Sequence, residues 1–223
     1  MKWLSELWLI LRKNLQIYPV AGVSAIFLAG MIFWGAFNWG LELTNTETFC
    51  ISCHEMREYL YKEYRKTVHY NNRTGVRASC PDCHVPREWV YKFARKMQAS
   101  NELFHWLMGS INARADFEAK RPELAQRVWT SMAATDSREC RNCHNIEFMT
   151  YQVQTAEART MHVLAQKWDK TCIDCHKGIA HTLPRDFDKN VLLNELHERM
   201  ESEKIDCRKC HEGMAGPPAG EAW

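Results

Sequence analysis

The first strong pattern along the chain is an absence of charge. Residues 14–41 carry no charged side chain, and YPVAGVSAIFLAGMIFWGAFNWG is apolar almost throughout. A run of about 20 such residues suffices to cross a bilayer as a helix, so the pattern predicts a transmembrane anchor over 19–41. Trp34 and Trp39 near one end, with Trp8 and Tyr18 near the other, resemble interfacial belts. Lys2, Arg12 and Lys13 precede the span, whereas Glu42 and Glu47 follow it. The positive-inside rule then puts the N-terminus in the cytoplasm and the rest of the chain outside. A cleaved secretory signal would also be apolar, but this run exceeds a signal core, and Phe and Trp fill the place of a small-residue cleavage site. Residues 1–18, MKWLSELWLILRKN onward, have apolar positions at helical spacing and predict a segment along the inner membrane surface or a continuation of the span.

Beyond Glu42 the apolar period is helical. MREYLYKEYRKTVHY, REWVYKFARKMQASNELFHWLMG, the stretch from Phe148 to Trp168, and RDFDKNVLLNELHERMESEK (185–204) place aromatics and aliphatics three and four apart. No segment alternates strongly enough for a strand, and GMAGPPAGEAW reads as a flexible tail. The expected fold class is mainly α: one N-terminal transmembrane helix, then a compact domain with little regular sheet.

Cysteine changes the picture. All ten cysteines fall into pairs two residues apart: Cys50/Cys53, Cys80/Cys83, Cys140/Cys143, Cys172/Cys175 and Cys207/Cys210. Each pair is followed directly by a histidine: His54, His84, His144, His176 and His211. Cys-x-x-Cys-His is the attachment motif of c-type haem. Two thiols one helical turn apart reach the two vinyl groups on one porphyrin edge, and the next histidine binds iron from below. Four-thiolate zinc sites would use pairs two at a time and leave one over. A disulfide framework has no need of the histidines. Five covalently bound haems c are therefore expected. Their ten propionates make the mature protein acidic, although the formal charge is +2. The near-balanced chain shows no basic patch for a nucleic acid. With roughly 36 residues per haem, the porphyrins must supply much of the core.

The motif starts are separated by two short gaps around one long one, which suggests a duplicated two-haem unit with the fifth motif added. The expected organisation is 1–18 interfacial, 19–41 anchor, 42–185 tetrahaem domain and 186–223 an extension carrying the fifth haem. Five further histidines, His69, His105, His162, His181 and His197, would allow two histidines per iron. His181 lies too close after His176 to reach over the same haem and is expected to serve a neighbour. His197, three turns before Cys207, competes with Met200 and Met214 for the fifth iron. His105, among Phe104, Trp106 and Leu107, reads as a partly buried histidine rather than a ligand.

FCISCHEM, HYNNRTGVRASCPDCHVP, ECRNCHN and TCIDCHKGIAH resemble the NapC/NirT family of membrane-anchored tetrahaem quinol dehydrogenases, NrfH among them, from the anchor to about Leu183. The resemblance implies a chain that takes electrons from menaquinol or ubiquinol and hands them to a periplasmic reductase or soluble redox protein. It implies a bacterial inner-membrane location with the haem domain in the periplasm. It also implies His69, His162 and His181 as distal ligands. In the NrfH branch a methionine at the position of Met56 can ligate the first haem in place of the motif histidine, so His54 and Met56 stand as alternatives. Lys96 and Glu102 match the quinol site, Glu102 as proton acceptor and Lys96 as donor to a quinone oxygen, with Arg95 a neighbouring alternative. Six residues turn Lys96 and Glu102 about 120° apart on a helix. The family's core members stop at four haems. TorC-type relatives have a fifth, in a much longer C-terminal domain. Three other readings stay open at this point: a terminal reductase acting at an open haem, a relay running backwards to reduce quinone, and a passive wire. The sequence leaves homo-oligomerisation, the partner and the quinone type open.

Overall fold

The structure, a computed structural model, describes residues 2–17, 19–109, 111, 113–211, 213 and 214. Most of the expected C-terminal tail and Tyr18 lie outside the described residues. The chain divides into two units, Met1–Cys50 and Ile51–Trp223. Helix predominates, and among the described residues there is no strand.

The first unit holds helix α1 (Lys2–Ile17) and helix α2 (Pro19–Leu43). Pro19 cannot donate a backbone hydrogen bond, which separates the two helices and suits the first position of the second. None of the residues of α2 is buried within the protein. Its mean hydropathy over an 18-residue window is 2.0, making it a candidate membrane span. Its 25 residues give a length of about 37 Å at 1.5 Å per residue, enough for a hydrocarbon core of about 30 Å. Thr44 closes the helix, its hydroxyl donating to the carbonyls of Gly40 (3.2 Å) and Leu41 (3.0 Å). Thr46 then starts the short turn Glu47–Cys50, accepting from the N–H of Phe49 at 3.2 Å.

The second unit contains α3 (Trp89–Leu107), α4 (Arg114–Ala134), α5 (Ala156–Lys167) and α6 (Lys189–Ser202), with shorter turns between them. Local chemistry sets their ends. Thr155 caps α5 by accepting from the Ala158 N–H (3.3 Å), and Asp188 caps α6 by accepting from Asn190 (2.8 Å). The cap at Thr155 explains a difference from the sequence reading: only Ala156–Lys167 of the Phe148–Trp168 stretch is α-helix, and its first part forms two 3-10 turns. The longest helix of this unit, α4, runs through RADFEAKRPELAQRVWTSMAA, where dense charge and the internal Pro122 blur the apolar period.

Among the described residues, seven apolar side chains besides prolines are buried: Tyr59, Tyr64, Phe117, Leu164, Trp168, Ile173 and Leu196. They fall in separate places. Leu164 of α5 and Trp168, just past its end, meet Leu196 of α6, with Met161, Leu192, Met200 and Ile205 around them. Tyr59 packs on Phe117 of α4 at 5.4 Å between ring centres. A unit of this size closed by its own side chains would bury far more apolar surface. Its interior fits large apolar groups packed between the segments.

Candidate haem sites

The five Cys-x-x-Cys-His segments are short and locally built, but they are not alike, which corrects the expectation of a helical turn under every pair. In the second and fourth, helix runs through both cysteines, as Cys80–His84 and Cys172–Cys175. In the first, third and fifth it stops before the second cysteine. Cys53 therefore lies in a bend, and Cys143 and Cys210 lie in turns. The cause is the residue just before the second cysteine. Asp82 accepts from the N–H (2.8 Å) and hydroxyl (2.6 Å) of Ser79, and Asp174 accepts from the N–H (2.7 Å) and hydroxyl (3.0 Å) of Thr171. These boxes hold the first turn of each helix. Ser52, Asn142 and Lys209 stand at that place in the other three segments.

Two of those three keep the cysteine spacing through a tighter bond. The Cys143 N–H donates to the Cys140 carbonyl and the Cys210 N–H to the Cys207 carbonyl, both at 3.1 Å. In the fifth segment Asp206 also caps the turn through the Arg208 N–H at 3.0 Å. Cys143 is exposed, whereas Cys53, Cys210 and the other seven cysteines are half-buried. The ten cysteines form no disulfide. Among the described residues no three His, Cys, Asp or Glu side chains converge as an ion site, so the pairs do not pool in the way a zinc ribbon needs.

What the fold brings together is histidines. His84 faces His181 with ring centres 6.2 Å apart, His144 faces His69 at 6.1 Å, His176 faces His162 at 5.9 Å, and His211 faces His197 at 6.3 Å. Two metal–nitrogen bonds of about 2 Å each, plus about 1 Å from each nitrogen to its ring centre, span roughly 6 Å. Each pair therefore has the spacing of two imidazoles on one iron, and one member of each pair adjoins two cysteines. The residues fit haem c. The cysteines could hold porphyrin edges through thioethers, and the histidine pairs could fill the two axial positions.

The electrostatics agree. Burial, then the charges of His181 and Arg95, push His84 down to about 4. Burial is also the main cause lowering His69, His176 and His181. A neutral imidazole has a lone pair free for a metal. One ring nitrogen each of His69 and His181 is buried without a hydrogen-bond partner. Burial pushes the Cys83 thiol up to about 11, with Cys140 among the neighbouring charges, and Cys140 in turn feels Cys172. The second, third and fourth motifs are thus electrostatic neighbours.

His54 differs. Among the described residues it is the one motif histidine without a second histidine ring against it; its ring meets Tyr59 edge-on at 5.9 Å. Met56 is exposed and begins a π-helical turn, Met56–Leu60, which the apolar period does not reveal. Such turns concentrate at functional sites.

Other candidate residues fall as follows. Met200 packs in the α5–α6 cluster and Met214 is exposed, while His197 meets His211. His105 is exposed on α3, edge-on to Phe104, rather than partly buried. Glu102 makes an ion pair of 2.8 Å with Arg95. These two lie seven residues apart, two turns along the same face of α3. Lys96 is one position round the helix, and the Lys96 carbonyl accepts from the Ser100 hydroxyl at 3.3 Å.

The pairings also expose a repeat. His162 precedes Cys172 by ten residues, and His197 precedes Cys207 by ten. Asp169 (φ 51°) and Lys204 (φ 53°) take the same left-handed turn between helix and motif. The closing bonds match as well: Lys170 N–H to the Ala165 carbonyl and Ile205 N–H to the Met200 carbonyl, both 2.9 Å. The fifth motif is therefore a second copy of the helix–turn–motif unit of the fourth. That common spacing was the signal in the sequence for the placing of both histidines. At the corresponding place before Cys140 stands Thr130, and the third motif receives His69 from far away instead.

Repeated attachment motifs, paired imidazoles and an apolar helix at the N-terminus together define a multihaem c-type cytochrome of electron transport with a membrane anchor. The chain belongs to the NapC/NirT cytochrome c family, whose N-terminal-region profile matches residues 12–186. It is 54% identical over 176 residues to the denitrification system component NirT of Stutzerimonas stutzeri, covering 78% of this chain and 88% of that one. It is 56% identical over 158 residues to the cytochrome c-type protein NapC of Escherichia coli K12, covering 71% and 79%. With the cytochrome c-type protein TorC of the same strain the identity is 40% over 181 residues, covering 80% and 46%. No solved structure matches the chain.

Proposed function

We propose that this chain is a pentahaem quinol dehydrogenase that relays electrons from the membrane quinone pool to a periplasmic reductase. The observation that carries the reading is the contrast between four paired motif histidines and His54. Two strong ligands close an iron to substrate and suit electron relay, whereas a first site with only His54 or Met56 leaves a face for quinol chemistry. Each haem supplies one-electron oxidation and reduction at its iron.

In this reading His84/His181, His144/His69, His176/His162 and His211/His197 are the axial pairs of the second to fifth haems. Quinol loses two protons with its two electrons, so the site needs a proton acceptor. Glu102, on the exposed face of α3, takes that role. Arg95 holds its carboxylate, and Lys96 donates to a quinone oxygen. The charge distribution around α2 supports a haem unit in the periplasm. The fifth haem, at the end of the repeat that closes on His211, is the exit toward the partner.

The test uses purified, detergent-solubilised, oxidised protein mixed with a menaquinol or ubiquinol analogue, with haem reduction followed spectrally. Rapid reduction that Glu102→Gln slows by about tenfold or more is the expected result. No reduction by any quinol, while dithionite reduces all the haems, would sink the proposal.

A further inference from the structure

The four distal histidines are not held alike. His162 and His197 ride on α5 and α6, where helix geometry sets their direction. His69 sits in a turn whose carbonyl accepts from the Ala78 N–H at 3.1 Å. His181 lies in an irregular stretch after Gly178, whose φ of 77° turns the chain away from the fourth motif. A Cβ at Gly178 would meet Leu183 at 2.8 Å, so the turn is both left-handed and tightly packed. Nothing in that local backbone aims an imidazole at His84.

The residue next to it is gripped from two sides. Arg121 of α4, 5% exposed, forms a two-pronged contact with Glu63, Nη1 donating to Oε2 at 3.0 Å and Nη2 to Oε1 at 2.7 Å. Glu118, one turn back on the same helix, accepts from Arg121 Nε at 3.0 Å and Nη2 at 3.2 Å, which locks the plane of the guanidinium. Arg121 Nη1 also donates to the Thr182 carbonyl at 2.9 Å, and the Thr182 N–H donates to Glu63 Oε2 at 2.9 Å. Both backbone polar groups of Thr182 are thus held by one ion pair. The held N–H belongs to the peptide bond that leaves His181, so its placement directs the Cα–Cβ bond of His181. Three segments distant in sequence meet here: the turn after the first motif, α4, and the loop after the fourth motif.

We propose that Glu63 and Arg121 are positioning residues for His181, and that by gripping Thr182 they set the axial geometry and the potential of the haem joined at Cys80 and Cys83. This rests on His84 and His181 being the two ligands of that haem. Arg114 pairs with Glu118 at 3.4 Å, so the cluster's two carboxylates balance two guanidiniums, and it is the negative charge of Glu63 that keeps this balance beside His181 and favours the ferric state. Glu63→Gln removes that charge and weakens the grip together. Arg121→Lys keeps the charge but loses the planar fork that serves Glu63, Glu118 and Thr182 at once.

The experiment is low-temperature electron paramagnetic resonance and a potentiometric titration of the full-length, haem-loaded protein in detergent, with haem content counted by intact mass. Glu63→Gln and Arg121→Lys are each expected to keep every haem, to shift the g-values of one low-spin signal, and to leave the others in place. In Glu63→Gln the midpoint of that same haem rises, and Glu63→Asp restores part of the shift. Arg127→Gln, which breaks an exposed ion pair with Glu123 on the same helix, is expected to change none of these. His181→Ala is expected to convert one further haem from low to high spin relative to the wild type. If it does so while Glu63→Gln and Arg121→Lys leave all signals and midpoints as in the wild type, the clamp is wrong. A His181→Ala protein that keeps the wild-type number of low-spin haems overturns the ligand assignment beneath it. Equal changes at all haems in the clamp variants would show loss of packing rather than positioning, and would also overturn the proposal.

Discussion

Trp168→Ala is expected to loosen the C-terminal segment without disturbing the rest of the haem unit. Trp168 is 5% exposed and lies between Leu164, 8%, and Leu196, 6%. Its Nε1–H donates to Glu203 at 2.7 Å, and the Arg199 guanidinium sits 4.8 Å from its ring centre. This cluster is the apolar contact between α5 and α6. Around it are rim ion pairs, Lys167 with Glu203 and Lys170 with Glu195 at 2.8 Å, each worth under about 1 kcal/mol. Removing a buried tryptophan typically costs about 3–5 kcal/mol through lost burial and the cavity left behind. At about 1.4 kcal/mol per tenfold, that raises the open population of α6 by roughly 100-fold to 3,000-fold. Amide hydrogen exchange of the holoprotein, resolved by peptide, measures this directly. Exchange in Lys189–Ser202 should accelerate by at least two orders of magnitude while α4 stays unchanged. An increase below tenfold, or an equal increase in α4, would refute the reasoning. The first outcome would mean the cluster does not carry the segment, and the second that the segment is not a separable unit.

Three further outcomes follow from the same structure. Replacing His197 by Met should raise the midpoint potential of one haem and leave the others in place, since His/Met ligation favours the ferrous state; potentiometry with spectral deconvolution checks it. Ser137 is fully buried at 0% exposure, and its hydroxyl accepts from the Ile173 N–H at 3.1 Å. Ser137→Ala strands that N–H and should lower stability by about 1–3 kcal/mol, read by denaturant unfolding of the holoprotein. Acid stability should also depend on Glu63. Burial raises its pKa, but the hydrogen bonds from Arg121 and the Thr182 N–H outweigh this and hold it below the ordinary 4.5. A depressed carboxyl contributes stability that is complete above 4.5 and is lost as pH falls through the lower folded value. Glu63→Gln should therefore flatten the pH dependence of unfolding below 4.5 and leave its slope near neutrality unchanged.

Much of the chemistry was legible along the chain because it is short-range. Thioether attachment needs two cysteines and a histidine within five residues, so the spacing itself is the site. The backbone beneath that spacing was less legible: helix carries Cys83 and Cys175, but a bend or turn carries Cys53, Cys143 and Cys210. The signal was the aspartate at 82 and 174, whose box with Ser79 or Thr171 keeps the helix going. The anchor was legible because solvation by lipid acts on each residue of α2 separately. Helices α3 and α6 followed from apolar period. Helix α4 did not, because its contacts are made by Arg121, Phe117 and a few others while charge covers the rest. The pairing of Arg95 with Glu102 was within reach of helical arithmetic, which already turned Lys96 away from Glu102.

By itself, then, the sequence determined how many haem motifs there are, which cysteines and histidines form them, and which stretch is built for a membrane. Only the tertiary structure decided which second histidine meets which motif. For the fourth and fifth motifs, a helix and one left-handed turn bring the partner back within a single local unit. For the second and third, His181 and His69 come from remote loops, and no periodicity encodes such meetings. They depend on contacts such as the Glu63–Arg121–Thr182 clamp, whose members are distant in the chain and acquire their geometry only when the segments between them have folded.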